Sequence, residues 1–325
     1  MKYTPKTTEE LKALVKDESI YLGDIDTSHI TDMSYLFVRS DRKDFSGIEK
    51  WNVSNVRDMY SMFEGASSFN QDISSWDVSN VKSMYGMFRN ATSFNQDISG
   101  WNVSNVERMG GMFEGASSFN QPLNDWNTSN VDDMSYMFYL ATSFNQPLND
   151  WDVGSVEEMA FMFKYAVSFN QPLNEWDVSN VREMHGMFRG ASSFNQDISS
   201  WNVSNVRDMR SMFRGATSFN QPLNDWNVGK VRNMAFMFAG AISFNQPLND
   251  LDTSNVDDMS YMFYLATSFN QDISSWNTSN AKYMEAMFKD AKSFDKSLRK
   301  WNTSNAKNME AMFEGTKFNK RISLF

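Results

Sequence analysis

Carboxylate side chains recur beside a series of regularly spaced tryptophans, and they are the first residues here whose type and spacing suit chemistry. Repeat spacing places neighbouring carboxylates about 5 Å apart if successive segments stack like strands. Like charges at that distance need water, a proton or a bridging partner, and carboxylate oxygens suit Ca²⁺. A solvated acidic face, a basic partner and a divalent-ion site therefore all stay open. The acidic strand face consists of Asp125, Asp150, Asp152, Glu175, Asp177, Asp225, Asp250 and Asp252.

Within this face, Asp150, Asp152, Glu175 and Asp177 are the calcium candidates. Asp150 with Asp152, next to Glu175 with Asp177, are also the one arguable set of hydrolytic carboxylates. No EF-hand spacing surrounds them, and the chain has no long insertion that would shape a substrate cleft. The chain has two histidines, His29 and His185, and no cysteine. We therefore predict no enzymatic activity and no cofactor, and no firm metal site.

Aromatic and large aliphatic side chains replace polar residues at variable positions of some segments. Adjacent exposed aromatics often mark a protein interface, but they also fill grooves between neighbouring elements. Both interpretations stay open. The candidate partner-binding residues are Tyr136, Tyr139, Leu140, Phe161, Tyr165, Tyr261 and Tyr264, accompanied by Phe236 and Leu265.

These residues belong to a repeat of 25 residues that covers most of the 325-residue chain. Its consensus is W-x-x-S-N-V-x-x-M-x-x-M-F-x-x-A-x-x-F-N-Q, and Leu251 occupies one tryptophan position. Eleven units begin at Trp51, and a divergent unit begins at Ile25. A strict period with almost no insertion is typical of a solenoid, so we predict a single solenoid of twelve repeats over residues 25–325.

A single unit predicts an α/β coil similar to that of leucine-rich repeats. Trp76 and Val78 alternate with a polar residue, which predicts a short parallel strand. The apolar positions from Val81 to Ala91 follow helical spacing and predict a short helix, which Gly65 and its equivalents would end. The expected fold is thus one strand and one helix per 25-residue coil, over about twelve coils. A β-helix-like solenoid is the alternative, because the return segment could pair as a second sheet.

The strings FNQDISSWDVSNVKSMYGMF and SFNQPLNDWNTSNVDDMSYMF resemble the repeats of BspA-type leucine-rich-repeat surface proteins. The resemblance covers residues 25–325. It implies a bacterial surface protein whose repeats bind or adhere without catalysis. The implied partner is a protein or glycan, including host matrix components. An intracellular scaffold or a self-associating structural protein is the alternative.

The two ends of the chain predict covers for the solenoid. Residues 1–24 form the expected N-terminal cap, in which Thr7 and Glu10 make a capping box for a helix from Glu9 to Lys16. The last repeat, residues 301–325, is the expected C-terminal cap, and its final ten residues, TKFNKRISLF, are basic and irregular.

Composition excludes several classes of function. The net charge of −10 and a pI near 4.8 disfavour binding to nucleic acid and to anionic membranes. The absence of cysteine excludes disulfides. We expect no membrane span, since no apolar run approaches 18 residues. The first residues lack the apolar core of a secretory signal, so localisation stays open between the cell surface and the cytoplasm.

Overall fold

The computed structural model describes residues 2–318, which fall into two compact units, Met1–Val156 and Glu157–Phe325. Within the described residues the one α-helix is α1, Thr8–Lys16, and two 3₁₀ turns follow at Leu22–Asp24 and Ile48–Lys50. Residues 52–317 consist of turns, bends, extended segments and isolated parallel bridges. Each unit is a stack of 25-residue coils, which confirms a repeat solenoid as the architecture within each unit.

Each residue has a coil position from 1 to 25, counted from the tryptophan, or from Leu251, at position 1. In the coil 76–100 the buried side chains are at positions 1, 3, 6, 9, 12, 13, 16, 19 and 23, from Trp76 to Ile98. All of them are at most 4% exposed. These are the Trp, Val, Met, Phe, Ala and Ile ladders of the repeat. Their assignment to the core is confirmed.

Successive coils meet through a parallel bridge at position 8. Asp58 bridges to Ser83, and Ser83 bridges to Arg108 in the first unit. In the second unit Glu158 bridges to Glu183, and the series continues in steps of 25 residues. The expected strand at Trp76–Val78 is wrong, since no strand is formed there. Position 2 is instead a turn corner, where the Asp77 carboxylate accepts a hydrogen bond from the Ser79 amide N–H.

The expected helix is also wrong, because positions 9 to 16 form a series of turns. In the coil 76–100 the amide N–H groups of Met84, Gly86, Phe88 and Asn90 donate to carbonyl oxygens of the next coil at 2.6–3.0 Å. The residues between them close three-residue turns within the coil, as when the Met87 N–H donates to the Met84 carbonyl. Every second amide therefore links coils, whereas an α-helix would keep all of them within the coil.

Left-handed backbone at positions 11 and 15 explains why no helix forms. Gly86 has a φ of 61° and Asn90 a φ of 55°. A residue in this conformation ends an α-helix, because L-residues in a right-handed helix require negative φ. Glycines at position 15 have φ between 66° and 74°. They were expected to end a helix and do adopt the conformation of a helix C-terminus, but they stand inside a turn series. The glycines are Gly65, Gly115, Gly190, Gly215, Gly240 and Gly315.

Aromatic side chains and main-chain groups lock the coils together. The Phe188 ring stacks on Phe213 of the next coil at 5.8 Å between centroids and on Phe194 of its own coil at 4.0 Å. The Trp201 indole N–H donates to the Leu173 carbonyl at 2.9 Å, and other indoles make the same bond. A buried indole needs such an acceptor.

Asparagine ladders fix the corners of the coils. The Asn70 side-chain oxygen accepts from the Asn95 amide N–H at 2.8 Å, and the Asn80 side-chain amide donates to the Ser54 carbonyl at 2.8 Å. Each bond joins one coil to the next and occupies a main-chain group that a turn leaves open.

Helix α1 lies against the first coil. Thr7 caps it by accepting from the Glu10 amide N–H, while the Glu10 carboxylate accepts from the Lys6 amide rather than from Thr7. The expected helix is confirmed, and it starts one residue earlier. Leu11 and Val15 are buried, and the Thr8 hydroxyl donates to the Asp32 carbonyl. The C-terminal cap stays a prediction, and its residues 319–325 lie outside the described part of the chain.

Among residues 2–318, no helix has both the length and the apolar character needed to cross a lipid bilayer.

Candidate interaction surface

Positions 10, 11, 14 and 15 of the coils carry side chains that vary from coil to coil. We call the surface that they form the turn face. It lies on the turn series, so its backbone is held by the bonds between coils. Its large side chains are half-buried or exposed, whereas small ones such as Ser61 and Ala239 are buried. All the sequence-predicted partner-binding residues lie on the turn face.

In the first unit the turn face carries Tyr136, Tyr139 and Leu140. Leu140 is 39% exposed, whereas both tyrosines are half-buried and meet edge to face with ring centroids 6.1 Å apart. Partial burial raises the pKa of the Tyr136 hydroxyl. The three side chains form a compact cluster in which the aliphatic side chain of Leu140 is exposed.

In the second unit Phe161 and Tyr165 follow the same positions. Tyr165 is 36% exposed, and the Lys164 ammonium lies 4.7 Å from the centroid of the Phe161 ring. The Phe161 ring meets His185 of the next coil edge-on at 4.7 Å. These rings fill the space between neighbouring coils and also remain partly accessible. They therefore agree with both interpretations of the sequence, groove filling and an exposed interface.

The second aromatic group of this unit is more tightly packed. Phe236 and Tyr261 stack with centroids 4.7 Å apart, and the Tyr261 hydroxyl donates to Glu285 at 2.6 Å. That bond raises the pKa of Tyr261. Tyr264 is half-buried, and Leu265 is 38% exposed. Here the exposed apolar surface is Leu265 rather than the stacked rings.

Bulky side chains on left-handed backbone are the unusual feature of the turn face. Seven of its large residues have φ between 57° and 59°. The left-handed region costs a non-glycine residue about 1–2 kcal/mol, and such strain is concentrated at functional sites. Other coils place Gly86 or Gly111 at position 11 and Gly65 or Gly115 at position 15, so the fold itself does not require bulk there. The seven are Tyr136, Leu140, Phe161, Tyr165, Phe236, Tyr261 and Leu265.

The acidic strand face is exposed at all eight residues. Three of them, Asp125, Asp150 and Asp152, belong to the first unit, and the others belong to the second. Asp152 accepts from the Gly154 amide N–H, and Asp177 accepts from the Ser179 amide N–H, both at 3.0 Å. Hydrogen bonds from Ser179 lower the pKa of Asp177.

Asparagine side chains serve two further carboxylates of this face. Asn124 donates to Asp150, and Asn224 donates to Asp250 at 2.5 Å. Several of these carboxylates thus shape the corners of their coils. Asp150, Asp152, Glu175 and Asp177 stay calcium candidates, with a solvated acidic face and a basic partner as the alternatives.

A histidine–carboxylate cluster at positions 8 and 10 of the coils was not predicted from the sequence. Glu183, His185 and Asp208 bring one potential metal-ligand atom each to within 4.8 Å of one another. The His185 Nδ1 lies 3.3 Å from Glu183, and the Arg210 guanidinium lies 3.2 Å from Asp208. The Arg210 guanidinium is therefore already paired with one carboxylate of the cluster, which we assign as a local polar network. In the sequence, the cluster is indicated by the 25-residue step between Glu183 and Asp208, which occupy position 8 of successive coils.

The stacked coils and their variable outer residues define a repeat solenoid with an exposed turn face. The chain belongs to a family described as mycoplasma proteins of unknown function, DUF285. The family model matches five overlapping segments, residues 9–124, 76–173, 97–197, 146–249 and 223–325.

The other comparisons add little. No curated protein sequence matches this chain. Among solved structures, the crystal structure of a TLR13–ssRNA13 complex is similar over 96% of this chain and 52% of that chain, with 11% identity and a TM-score of 0.23. The chain thus spans about half the length of that protein, and a similarity with so low a TM-score supports no inference about fold or function.

Proposed function

We propose that this chain is a non-enzymatic binding module that presents its turn face to a protein or glycan in adhesion. The observation that carries the proposal is the strained bulk at Tyr136, Leu140, Phe161 and Tyr165. Side chains that cost stability, and that neighbouring coils replace by glycine, are retained where an interaction compensates for them. The resemblance of the repeats to BspA-type surface proteins supports the adhesive role.

The proposal is tested with a variant in which these four residues become the glycine of neighbouring coils. Glycine fits the left-handed backbone, so we expect the variant to stay folded. Wild type and variant are compared for binding to immobilised extracellular-matrix proteins and glycans by surface plasmon resonance. We expect at least a tenfold loss of affinity for whichever member of the panel wild type binds.

A matched control replaces exposed carboxylates instead. Asp125→Asn, Asp150→Asn and Asp225→Asn leave the turn face intact and should preserve binding. Equal binding by wild type and the glycine variant contradicts the proposal for the turn face. Loss of binding in the control variant alone moves the site to the acidic strand face.

Location is tested separately, by protease treatment of intact native cells with a cytosolic protein as the control for lysis. Loss of the chain with the control preserved supports surface display. Full protection contradicts the adhesive role and favours an intracellular scaffold.

A further inference from the structure

Three consecutive coils of the second unit place glycine at position 15 and form a bare strip on the turn face. Gly190, Gly215 and Gly240 have φ of 70–71°. A Cβ atom built on Gly215 would meet nothing closer than the backbone of Gly190 at 3.7 Å, and one built on Gly240 would meet the backbone of Gly215 at the same distance. No side chain covers these two positions. We call this strip the glycine trough.

Apolar side chains stand at position 15 on either side of the strip. Tyr165 occupies the preceding coil, and its ring lies over Gly190, because a Cβ atom there would be 2.2 Å from the Tyr165 Cδ1 atom. Leu265 occupies the following coil and is 38% exposed. The trough is thus open at Gly215 and Gly240, between the Tyr165 ring that lies over Gly190 and the exposed aliphatic side chain of Leu265.

Two arginines at position 14, Arg189 and Arg214, run beside the trough. Both are half-buried, and neither forms an ion pair within 4.0 Å among the described residues. Burial, followed by repulsion from the Arg189 guanidinium, lowers the pKa of Arg214. Two partly desolvated like charges that repel one another favour an anion between them.

Position 14 of the first unit provides an internal comparison. There Arg89 stands between Glu64 and Glu114 of the adjacent coils, with N–O distances of 3.8 Å and 2.9 Å. The same place in the same fold therefore accepts acidic neighbours that neutralise an arginine. The coils of Arg189 and Arg214 carry no such acid at position 14, where Lys164 and Ala239 flank the pair.

Aromatic rings hold these two guanidinium groups by their faces. The Arg214 Cζ lies 4.7 Å from the centroid of the Phe236 ring, and the Arg189 Cζ lies 5.9 Å from that of the Tyr165 ring. A contact of this kind satisfies the positive charge in part but uses none of the five N–H donors of a guanidinium. Planar groups held in this way match the oxygens of a carboxylate or a sulfate.

The main chain of the trough floor offers no amide donors. The N–H groups of Gly190, Gly215 and Gly240 donate to carbonyl oxygens of the following coils at 2.6–2.8 Å. A peptide that binds as an added strand relies on such groups. A ligand of this floor is instead recognised by its charge and its flat faces, which are properties of an acidic sugar.

We propose that the glycine trough binds an acidic glycan, with its carboxylate or sulfate between Arg189 and Arg214 and a sugar ring over the glycine floor beside Tyr165. This rests on the proposed binding function and names its ligand class. Carboxylate and sulfate share the recognised chemistry, and the test separates them.

The test is a titration of the full-length chain by isothermal calorimetry with four probes. These are a heparin hexasaccharide, a hexamer of galacturonic acid, a neutral maltohexaose and a poly-glutamate peptide of similar charge. We expect binding of at least one acidic sugar and at least tenfold weaker binding of maltohexaose and of poly-glutamate. The stronger of the two acidic sugars identifies sulfate or carboxylate as the ligand group. Affinity should fall as salt rises.

Variants then place the site. The pair Arg189→Gln and Arg214→Gln should lose at least tenfold in affinity, and Arg189→Lys with Arg214→Lys should retain part of it. Arg89→Gln is the matched control and should bind as wild type does. Removing two charges that repel one another should not unfold the chain, which urea unfolding checks.

Three results overturn the proposal even when an acidic sugar binds. They are equal binding of maltohexaose, equal or stronger binding of poly-glutamate, and an equal loss of affinity in Arg89→Gln. Failure of every acidic sugar to bind, alongside a matrix protein that binds through Tyr136 and Leu140, overturns this inference and leaves the proposed function in place.

Discussion

Each buried indole contributes to the fold both through its rings and through its N–H group. Trp226 shows both, since it is 3% exposed and its indole donates to the Ile198 carbonyl at 3.1 Å. Leu251 stands at the same position one coil later and is equally buried, but it has no N–H to donate. The coil of Leu251 therefore lacks a bond that its neighbours have.

Leu251→Trp should raise the free energy of unfolding, because it restores an indole donor for the Leu223 carbonyl and extends the buried aromatic surface. A net hydrogen bond contributes about 1 kcal/mol, and we expect a gain of that order. Urea unfolding followed by circular dichroism measures it. The reciprocal change Trp226→Leu should lose about 2 kcal/mol or more. A loss in both variants would show that the coil of Leu251 cannot accommodate an indole.

At the scale of the coil, sequence spacing identified the core but not the secondary structure. Val81, Met84, Met87, Phe88 and Ala91 are buried as predicted. Their spacing matches one face of a helix, but a turn series that places a left-handed residue at every fourth position turns the same residues inward. The distinguishing signal lies at positions 11 and 15, where Gly86, Ser211 or Asn90 would be poor helix formers.

The left-handed backbone can be tested with two glycines that have free space around them. Gly215→Ala should cost about 1 kcal/mol in the free energy of unfolding, because its φ is 71° while a new Cβ meets no close atom. Gly100→Ala has nothing within 4 Å and no positive φ, so it should be neutral or stabilising by about 0.5 kcal/mol. Equal effects in urea unfolding would contradict the role of backbone conformation.

Aspartates in the corner turns should make stability depend on acid pH. Hydrogen bonds from the serine two residues later lower the pKa of Asp77, Asp177 and Asp252. A carboxylate whose pKa is lowered in the folded chain stabilises it above the unfolded pKa of about 3.9, and this contribution is lost as pH falls through the folded value.

Other coils carry asparagine at this corner, as at Asn52 and Asn102. We expect the triple variant Asp77→Asn, Asp177→Asn and Asp252→Asn to lose less stability than wild type between pH 7 and pH 3. The shift in the urea midpoint measures this loss. Asp125→Asn with Asp225→Asn, outside these turns, is the control. The same loss in wild type and the triple variant would exclude the corner carboxylates.

The candidate site could be predicted only in part, for a physical reason. The sequence indicates which positions vary, so Tyr165 and Leu265 were identified as surface residues. The 25-residue step places Lys164 and Arg214 beside Arg189, but how far these side chains are buried depends on the turn series, which the expected helix did not contain. The contact of His185 with Glu183 likewise depends on the conformation of the turns within one coil.

At the scale of the whole molecule, each coil is stabilised mainly by the coils before and after it. Phe188 stacks on Phe163 at 5.7 Å and on Phe213 at 5.8 Å, one on each side. The stability of such a chain is a sum over coils and their nearest neighbours. Damage to one coil should therefore stay local.

Phe188→Ala should cost about 3–5 kcal/mol and speed amide exchange in the adjacent coils, at Phe163 and Phe213, more than at Phe263. Hydrogen–deuterium exchange with mass spectrometry measures the pattern. Phe263→Ala is the matched variant, and it should move the affected region by three coils. Uniform acceleration along the second unit in both variants would show a single cooperative block instead.

The bonds between coils also limit how such a gene can change in length. Amides at positions 9, 11, 13 and 15 reach carbonyl oxygens one residue earlier in the next coil, so the register repeats every 25 residues. An insertion of one residue within the turn series would move these amides out of line with the carbonyl oxygens of the next coil. Duplication or deletion of a whole repeat preserves every pairing between coils. The chain can therefore lengthen or shorten by whole coils during evolution, while the turn-face residues of each remaining coil change independently.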